Sequence, residues 1–239
     1  MAGHSKWANI KFRKSVQDAK RGKIFTKLIR EITVAARIAG ADESSNSRLR
    51  DVINKALKAN MKRDTIDNAV KRGVGGLDGA HMVEMRYEGY GPGGIAILVD
   101  CLSDNKNRTV SEVRHCFTKY AGNLGTDGSV SYLFNKQGEI IIEASDNQDQ
   151  LMEMLIDAGV DDIIEMDDHL LCITQSEDYH RILGFLNEQH IEIEQSQLAM
   201  RAENLIAVEG DAVQTLEKLI DALEDLDDVQ EVYYNAEFH

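Results

Sequence analysis

One proline, one tryptophan and three cysteines occur in 239 residues. So little proline excludes collagen-like and proline-rich extended chains. Cys101, Cys116 and Cys172 are scattered, odd in number and without a CxxC pair, so they read as reduced thiols rather than as a disulfide frame or a zinc site. No run of about 18 apolar residues is present, which removes a transmembrane helix, and the opening MAGHSKWANIK lacks the apolar stretch of a secretory signal. A cytoplasmic protein without a membrane partner is expected. HExxH, GxSxG and nucleotide-binding fingerprints are also missing. His115 adjoins Cys116 and His169 lies three residues from Cys172, yet neither pair has a third residue to orient it. No catalytic residue, cofactor or metal is therefore expected.

Positive charge is nearly absent from the last hundred residues, and this turns attention to where it is concentrated. Residues 141–239 hold 3 Lys and Arg against 26 Asp and Glu, whereas residues 1–80 hold 18 against 8, within a chain whose net charge is −14. A polyanion responds to the local potential of one face rather than to the average, so the basic end is the candidate nucleic-acid interface. An acidic scaffold that meets no nucleic acid would leave this basic end unexplained. With 43% hydrophobic and 28% charged residues the chain is otherwise an ordinary globular one.

Periodicity divides the chain. An arm from Ser5 to Gly22 interleaves cations with Trp7 and Phe12. From Lys23 to Ala39 apolar residues recur every three or four positions, predicting an amphipathic helix whose opposite face carries Lys23, Lys27, Arg30 and Arg37. A second helix is expected over about 48–60 with Leu57 among its inward residues and Lys55 and Lys58 outward, and a short third is expected from an Asp64 cap to Gly73. After the glycine-rich GVGGLDG the pattern becomes extended. Strands are predicted at 82–88 and 95–102, a helix at 108–120 and a strand near 129–134. The remainder reads as strand 138–144, helix 148–159, strands 162–166 and 169–174, helix 177–188 and strand 192–198, which is the ferredoxin-like βαββαβ order. Helix 211–224 and strand 229–234 then have no unit of their own and are inferred to return to the sheet begun at Met82. The fold expected is α+β in three domains: a basic helical domain, 1–79; a discontinuous α+β domain, 80–136 plus 199–239; and an inserted acidic ferredoxin-like domain, 137–198.

Several stretches allow two readings. Lys and Arg on the basic end neutralise phosphates and release counterions, while Trp7 and Phe12 either stack on a base or anchor the arm to the bundle. Tyr87-Glu-Gly-Tyr-Gly-Pro-Gly-Gly94 is either a hairpin turn needing positive φ or a place where backbone approaches a partner beside Tyr90. Asp104-Asn-Lys-Asn-Arg-Thr109 either caps a helix or grips a phosphate with Lys106 and Arg108. The clusters Asp161-Asp162, Asp167-Asp168 and Asp225-Leu-Asp-Asp228 lack calcium-loop spacing and read as solvated faces; collectively they repel nucleic acid and suit a basic protein partner.

Five blocks, GHSKWANIKFRK at 3–14, DAKRGKIFTKLIREI at 18–32, NSRLRDVINKALKANM at 46–61, YEGYGPGGIAILVDCLSDNKNRT at 87–109 and GNLGTDGSVSYLF at 122–134, closely resemble the YebC/PmpR family. A mitochondrial relative of that family is the translational activator of cytochrome c oxidase subunit one. The resemblance runs in order through essentially the whole chain. It implies an N-terminal three-helix domain and two α+β domains, one inserted in the other. It also implies a DNA-binding transcriptional regulator in the usual description, other members acting on translation at the ribosome, and no enzymatic activity or cofactor. Lys62 departs from the pattern, since members often carry proline after the Asn-Met of 60–61, which bears on the turn between helices two and three.

The expected function is thus a nucleic-acid-binding regulator of gene expression that contacts DNA through Lys6, Trp7, Lys11, Arg13, Lys14, Lys20, Arg21, Lys23, Lys27, Arg30, Lys55 and Lys58. The alternative is a ribosome-associated translation factor. In it the same face grips ribosomal RNA, and two loops, one with Tyr90, Gly91, Pro92 and Gly93 and the other with Asn105, Lys106, Asn107 and Arg108, reach a functional centre.

Overall fold

Three amphipathic helices open the described part of the chain: α1 (Asp18–Ala39), α2 (Ser47–Lys58) and α3 (Arg63–Val74). The computed structural model describes residues 18–75, 82–144, 147–166 and 168–238. Leu28, Ile32, Ala35 and Ala36 of α1 meet Leu49, Val52, Ile53 and Ala56 of α2 and Ile66 and Ala69 of α3 in one apolar core. That is the face the three-and-four spacing predicts. Leu57 departs from the expectation, being 42% exposed. Asn46 explains the turn between α1 and α2. Its carboxamide oxygen accepts from Leu49 N at 3.0 Å while its Nδ2 donates to the carbonyls of Ala35 and Gly40, so one buried side chain caps both helix ends. The start of α3 is a correction: Lys62 is its cap, in extended backbone without a side-chain bond, and Asp64 lies inside the first turn. There a carboxylate still favours the positive end of the helix dipole. Near its C-terminal end α3 presses Gly73 against α1, where an added Cβ would lie 2.7 Å from Ala36 Cβ.

The hairpin β1 (Val83–Tyr90) and β2 (Ala96–Ser103) pairs antiparallel from Val83↔Ser103 to Tyr90↔Ala96. The helix α4 (Lys106–Lys119) follows, and then a two-residue strand, β3 (Asn123–Leu124), which joins β1. Far along the chain α7 (Asp211–Glu224) packs on α4, and β9 (Val229–Tyr234) takes the place beside β2, giving the order β3-β1-β2-β9. The strand expected at 229–234 thus lies in the sheet begun near Met82. β2 is apolar and buried almost throughout, and its backbone is paired on both edges.

The expected strand at 129–134 is replaced by a short 3-10 turn, Ser131–Leu133, followed by β4 (Phe134–Glu143). The reason is local. The carboxylate of Glu88, itself 6% exposed, accepts from the backbone N–H groups of Gly128, Val130 and Ser131 at 2.8 Å each, so these donors cannot join a ladder.

From β4 the chain builds α5 (Gln148–Asp157), β5 (Asp162–Met166), β6 (His169–Gln175), α6 (Tyr179–Glu188) and β7 (Ile193–Ala202). Strand order β5-β6-β4-β7 with every pair antiparallel is the ferredoxin-like arrangement. Ile140, Ile142, Leu170 and Cys172 face Leu155, Tyr179, Ile182 and Leu186 of the two helices. Burial pushes the Cys172 thiol up to about 12, as it does that of Cys101 in β2. A small parallel pair, β8 (Ile206–Val208) with β10 (Ala236–Phe238), completes the α+β fold. By contact the chain forms two compact units: one holds Asp211–Val232 and the described residues up to Ser131, the other Tyr132–Gly210 and the residues from Tyr233.

Candidate nucleic-acid interface

Lys6, Trp7, Lys11, Arg13 and Lys14 lie outside the described residues, as do the side chains of Lys20 and Arg21, whose backbone lies in or beside the first turn of α1. The next three candidates, Lys23, Lys27 and Arg30, recur at four- and three-residue steps on one side of α1. That side of α1 also forms an intramolecular seam. Lys23 Nζ donates to the Asp225 carbonyl at 3.1 Å and pairs with Asp225 Oδ1 at 3.3 Å. Lys27 Nζ donates to the Glu224 carbonyl at 2.7 Å, and Arg30 Nη1 to the Asp227 carbonyl at 2.6 Å. These carbonyls belong to the last residue of α7 and the turn after it, where the helix leaves acceptors unsatisfied and its dipole is negative, so three cations of α1 cap another helix. Burial depresses the Lys27 pKa, against the attraction of Glu231 and Glu224. Lys55 is half-buried, while Lys58 is exposed.

Asp228 anchors the seam. Its side chain is 3% exposed and accepts from Arg30 Nη1 at 3.0 Å, Arg108 Nη2 at 2.8 Å, Ser103 Oγ at 2.8 Å and Thr109 Oγ1 at 2.8 Å. Burial works against its ionisation, but the bonds from Arg108, Thr109 and Ser103 outweigh it and hold the carboxyl below its ordinary range. The reading of Asp225–Asp228 as a solvated face is therefore wrong at Asp228. Charge alone could not reveal this. The one available signal was the small polar pair Ser103 and Thr109 around a helix start. Arg108 belongs to the same network: its guanidinium is held by Asp228 and, at 2.9 Å, by Asp104. Asn105 caps α4, its side chain accepting from Arg108 N at 3.1 Å, whereas Lys106 and Asn107 are exposed.

The other loop is a turn. Gly93 and Gly94 take φ of 74° and 76°, the left-handed region that favours glycine. A Cβ at Gly91 would lie 2.9 Å from Ile97 Cδ1 and 3.1 Å from Leu216 Cδ1, so its missing side chain admits the packing of α7. Pro92 opens the 3-10 turn. Tyr90 is 37% exposed and its hydroxyl donates to the Ser129 carbonyl at 3.0 Å. The two sequence-predicted loops thus supply structural contacts, with Tyr90, Lys106 and Asn107 still facing water.

In the ferredoxin-like unit a polar cleft is lined by Lys136 and Arg201 but also by Asp162, Glu177 and Glu203. Mixed charge of this kind does not favour a polyanion. No group of three His, Cys, Asp or Glu among the described residues is arranged to hold a metal ion, and no described helix is long and apolar enough to cross a membrane.

Comparison with known proteins agrees along the whole chain. Residues 5–76 match the family described as the TACO1/YebC protein N-terminal domain, and residues 82–236 match the TACO1/YebC second and third domain. A "Probable transcriptional regulatory protein" of Legionella pneumophila is 69% identical over 238 residues, covering 100% of this chain and 96% of the relative. A protein of the same description from Idiomarina loihiensis is 53% identical, covering 99% and 96%. The crystal structure of a conserved hypothetical protein from Aquifex aeolicus superposes with a TM-score of 0.85 at 42% identity, covering 93% of this chain and 92% of that one.

Proposed function

Since the chain belongs to the TACO1/YebC family, whose curated relatives carry the name of transcriptional regulators, we propose that it regulates gene expression by binding nucleic acid through its basic N-terminal region, with DNA as the ligand. The observation that carries this reading is the segregation of charge: 18 Lys and Arg against 8 Asp and Glu in the first eighty residues of a chain whose net charge is −14. Phosphate contact through lysine and arginine gains free energy by releasing counterions, and a strongly acidic remainder confines that contact to one end. Base readout is left to DNA shape or to base contacts made by the basic N-terminal region. The acidic part suits a basic protein partner. The second reading, a translation factor on ribosomal RNA, uses the same cations.

Crosslinking in growing cells, purification under denaturing conditions and sequencing of the attached nucleic acid separate the two. Discrete promoter fragments are the expected result. Ribosomal RNA concentrated at one site would replace DNA regulation by action on translation, and recovery of neither would overturn nucleic-acid binding.

A further inference from the structure

Folding uses Lys23, Lys27 and Arg30 internally, which leaves open where the described bundle meets a phosphate backbone. The last turns of α1 and α3 come together where Gly73 lodges against Ala36 and the amide nitrogen of Arg37, at 2.7 and 3.2 Å from an added Cβ. That contact joins the helix end that carries Arg37 to the helix end that carries Lys71 and Arg72. All three side chains are exposed, and none has a hydrogen-bond or ion-pair partner among the described residues. Beside them Ile38 is 65% exposed and Val74 51% exposed, the two most exposed large apolar side chains of the described bundle.

Resting on the nucleic-acid reading above, we infer that this joint, with Arg37, Lys71 and Arg72 exposed on the two helix ends that form it, is a contact site for the sugar-phosphate backbone of a nucleic acid. A cation already held by a carboxylate or a helix-end carbonyl must give up that partner before it can neutralise a phosphate, whereas an unpaired exposed one neutralises it directly and so releases a cation condensed on the nucleic acid. The three cations also sit in the last turns of their helices, where they favour the negative dipole end, and this alone would give them a structural use. The two roles differ in their salt dependence. Helix-end stabilisation changes the melting of the bundle, while phosphate contact changes the slope of log affinity against log salt.

The test compares the wild-type 239-residue chain with the triple variant Arg37→Gln, Lys71→Gln, Arg72→Gln. A charge-matched control, Lys119→Gln, Lys136→Gln, Lys218→Gln, carries the same number of substitutions at exposed positions elsewhere. Fluorescence anisotropy is measured on short single-stranded RNA, single-stranded DNA and duplex DNA across a salt series, with circular dichroism to follow folding. For single strands the triple variant is expected to lose about 2 from the salt slope, at about 0.7 per phosphate, and to bind about tenfold more weakly at moderate salt, while the control retains the wild-type slope. A triple variant that melts lower but keeps the wild-type slope and affinity would overturn the site and leave a helix-end role. Equal losses in triple variant and control would reduce the effect to net charge and overturn it as well. Wild-type protein that binds none of the three polymers would overturn the nucleic-acid reading together with the site. Wild-type binding with an intact slope in the triple variant removes the site alone.

Discussion

Substituting Asp228→Asn should loosen the seam between α1, α4 and the turn after α7. The carboxylate is 3% exposed, with two hydroxyls and two guanidinium groups donating to it at 2.8–3.0 Å. Asparagine keeps the shape but loses the charge, and whichever way its amide turns, an NH2 faces a donor. Part of the network has a substitute acceptor. Thr109 can turn to the Asn105 carbonyl at 3.0 Å, Arg30 keeps the Asp227 carbonyl and Arg108 keeps Asp104. Removing one partner of a fully buried pair costs about 3–5 kcal/mol, whereas an exposed pair is worth about 0–1 kcal/mol. Here the arginine side chains are 21% and 43% exposed and therefore screened, so a loss of about 2 kcal/mol is expected, equivalent to about thirtyfold in an opening equilibrium. Hydrogen-exchange mass spectrometry at pH 7 should show amides of α1 and β2 near the seam exchanging about thirtyfold faster in the variant. Because the folded carboxyl titrates below its ordinary range, its contribution is complete above the unfolded pKa and is lost as pH falls through the folded one. The difference should therefore hold from pH 7 to 5 and shrink below about pH 4. Equal exchange at pH 7 would refute the seam, and a difference undiminished at low pH would refute the role given to the charge.

Gly73→Ala should destabilise the bundle by about 1–3 kcal/mol, because the new methyl meets Ala36 Cβ and the Thr33 carbonyl, although alanine favours helices in general. Urea unfolding followed by circular dichroism checks this, and a gain in stability would show that α1 and α3 separate freely. Glu88→Gln should free the 128–131 segment at a cost of about 1–2 kcal/mol, read as faster limited proteolysis there, since an amide cannot accept all three backbone donors. Burial opposes ionisation of Glu88, but the bonds from Val130, Gly128 and Ser131 prevail and hold its carboxyl below the glutamate range. Wild-type protection should then fade only as pH drops below about 4, and unchanged cleavage in the variant would refute the assignment.

Periodicity and composition determined a good deal by themselves. Apolar spacing of three and four placed the inward faces of α1, α2 and α3, because a helix buries whatever recurs at that step. Alternation and turn residues placed the β1–β2 hairpin and the βαββαβ order. The return of β9 followed by elimination, a lone helix and strand having no other sheet to join. The strands Asn123–Leu124, Ile206–Val208 and Ala236–Phe238 were too short to show any period. Segregated charge located the candidate interface at the basic end, but only the tertiary structure decided which cations face water. A lysine looks the same in a sequence whether it meets a phosphate or the end of a distant helix, and its partners here lie about two hundred residues away. Likewise an aspartate in an acidic run reads as solvated until folding surrounds it with Ser103, Thr109, Arg30 and Arg108. The sequence thus set the elements and the sign of the charge, which are local properties. Pairing, burial and the donors left unpaired were decided by the tertiary fold, because they depend on contacts between segments far apart in the chain.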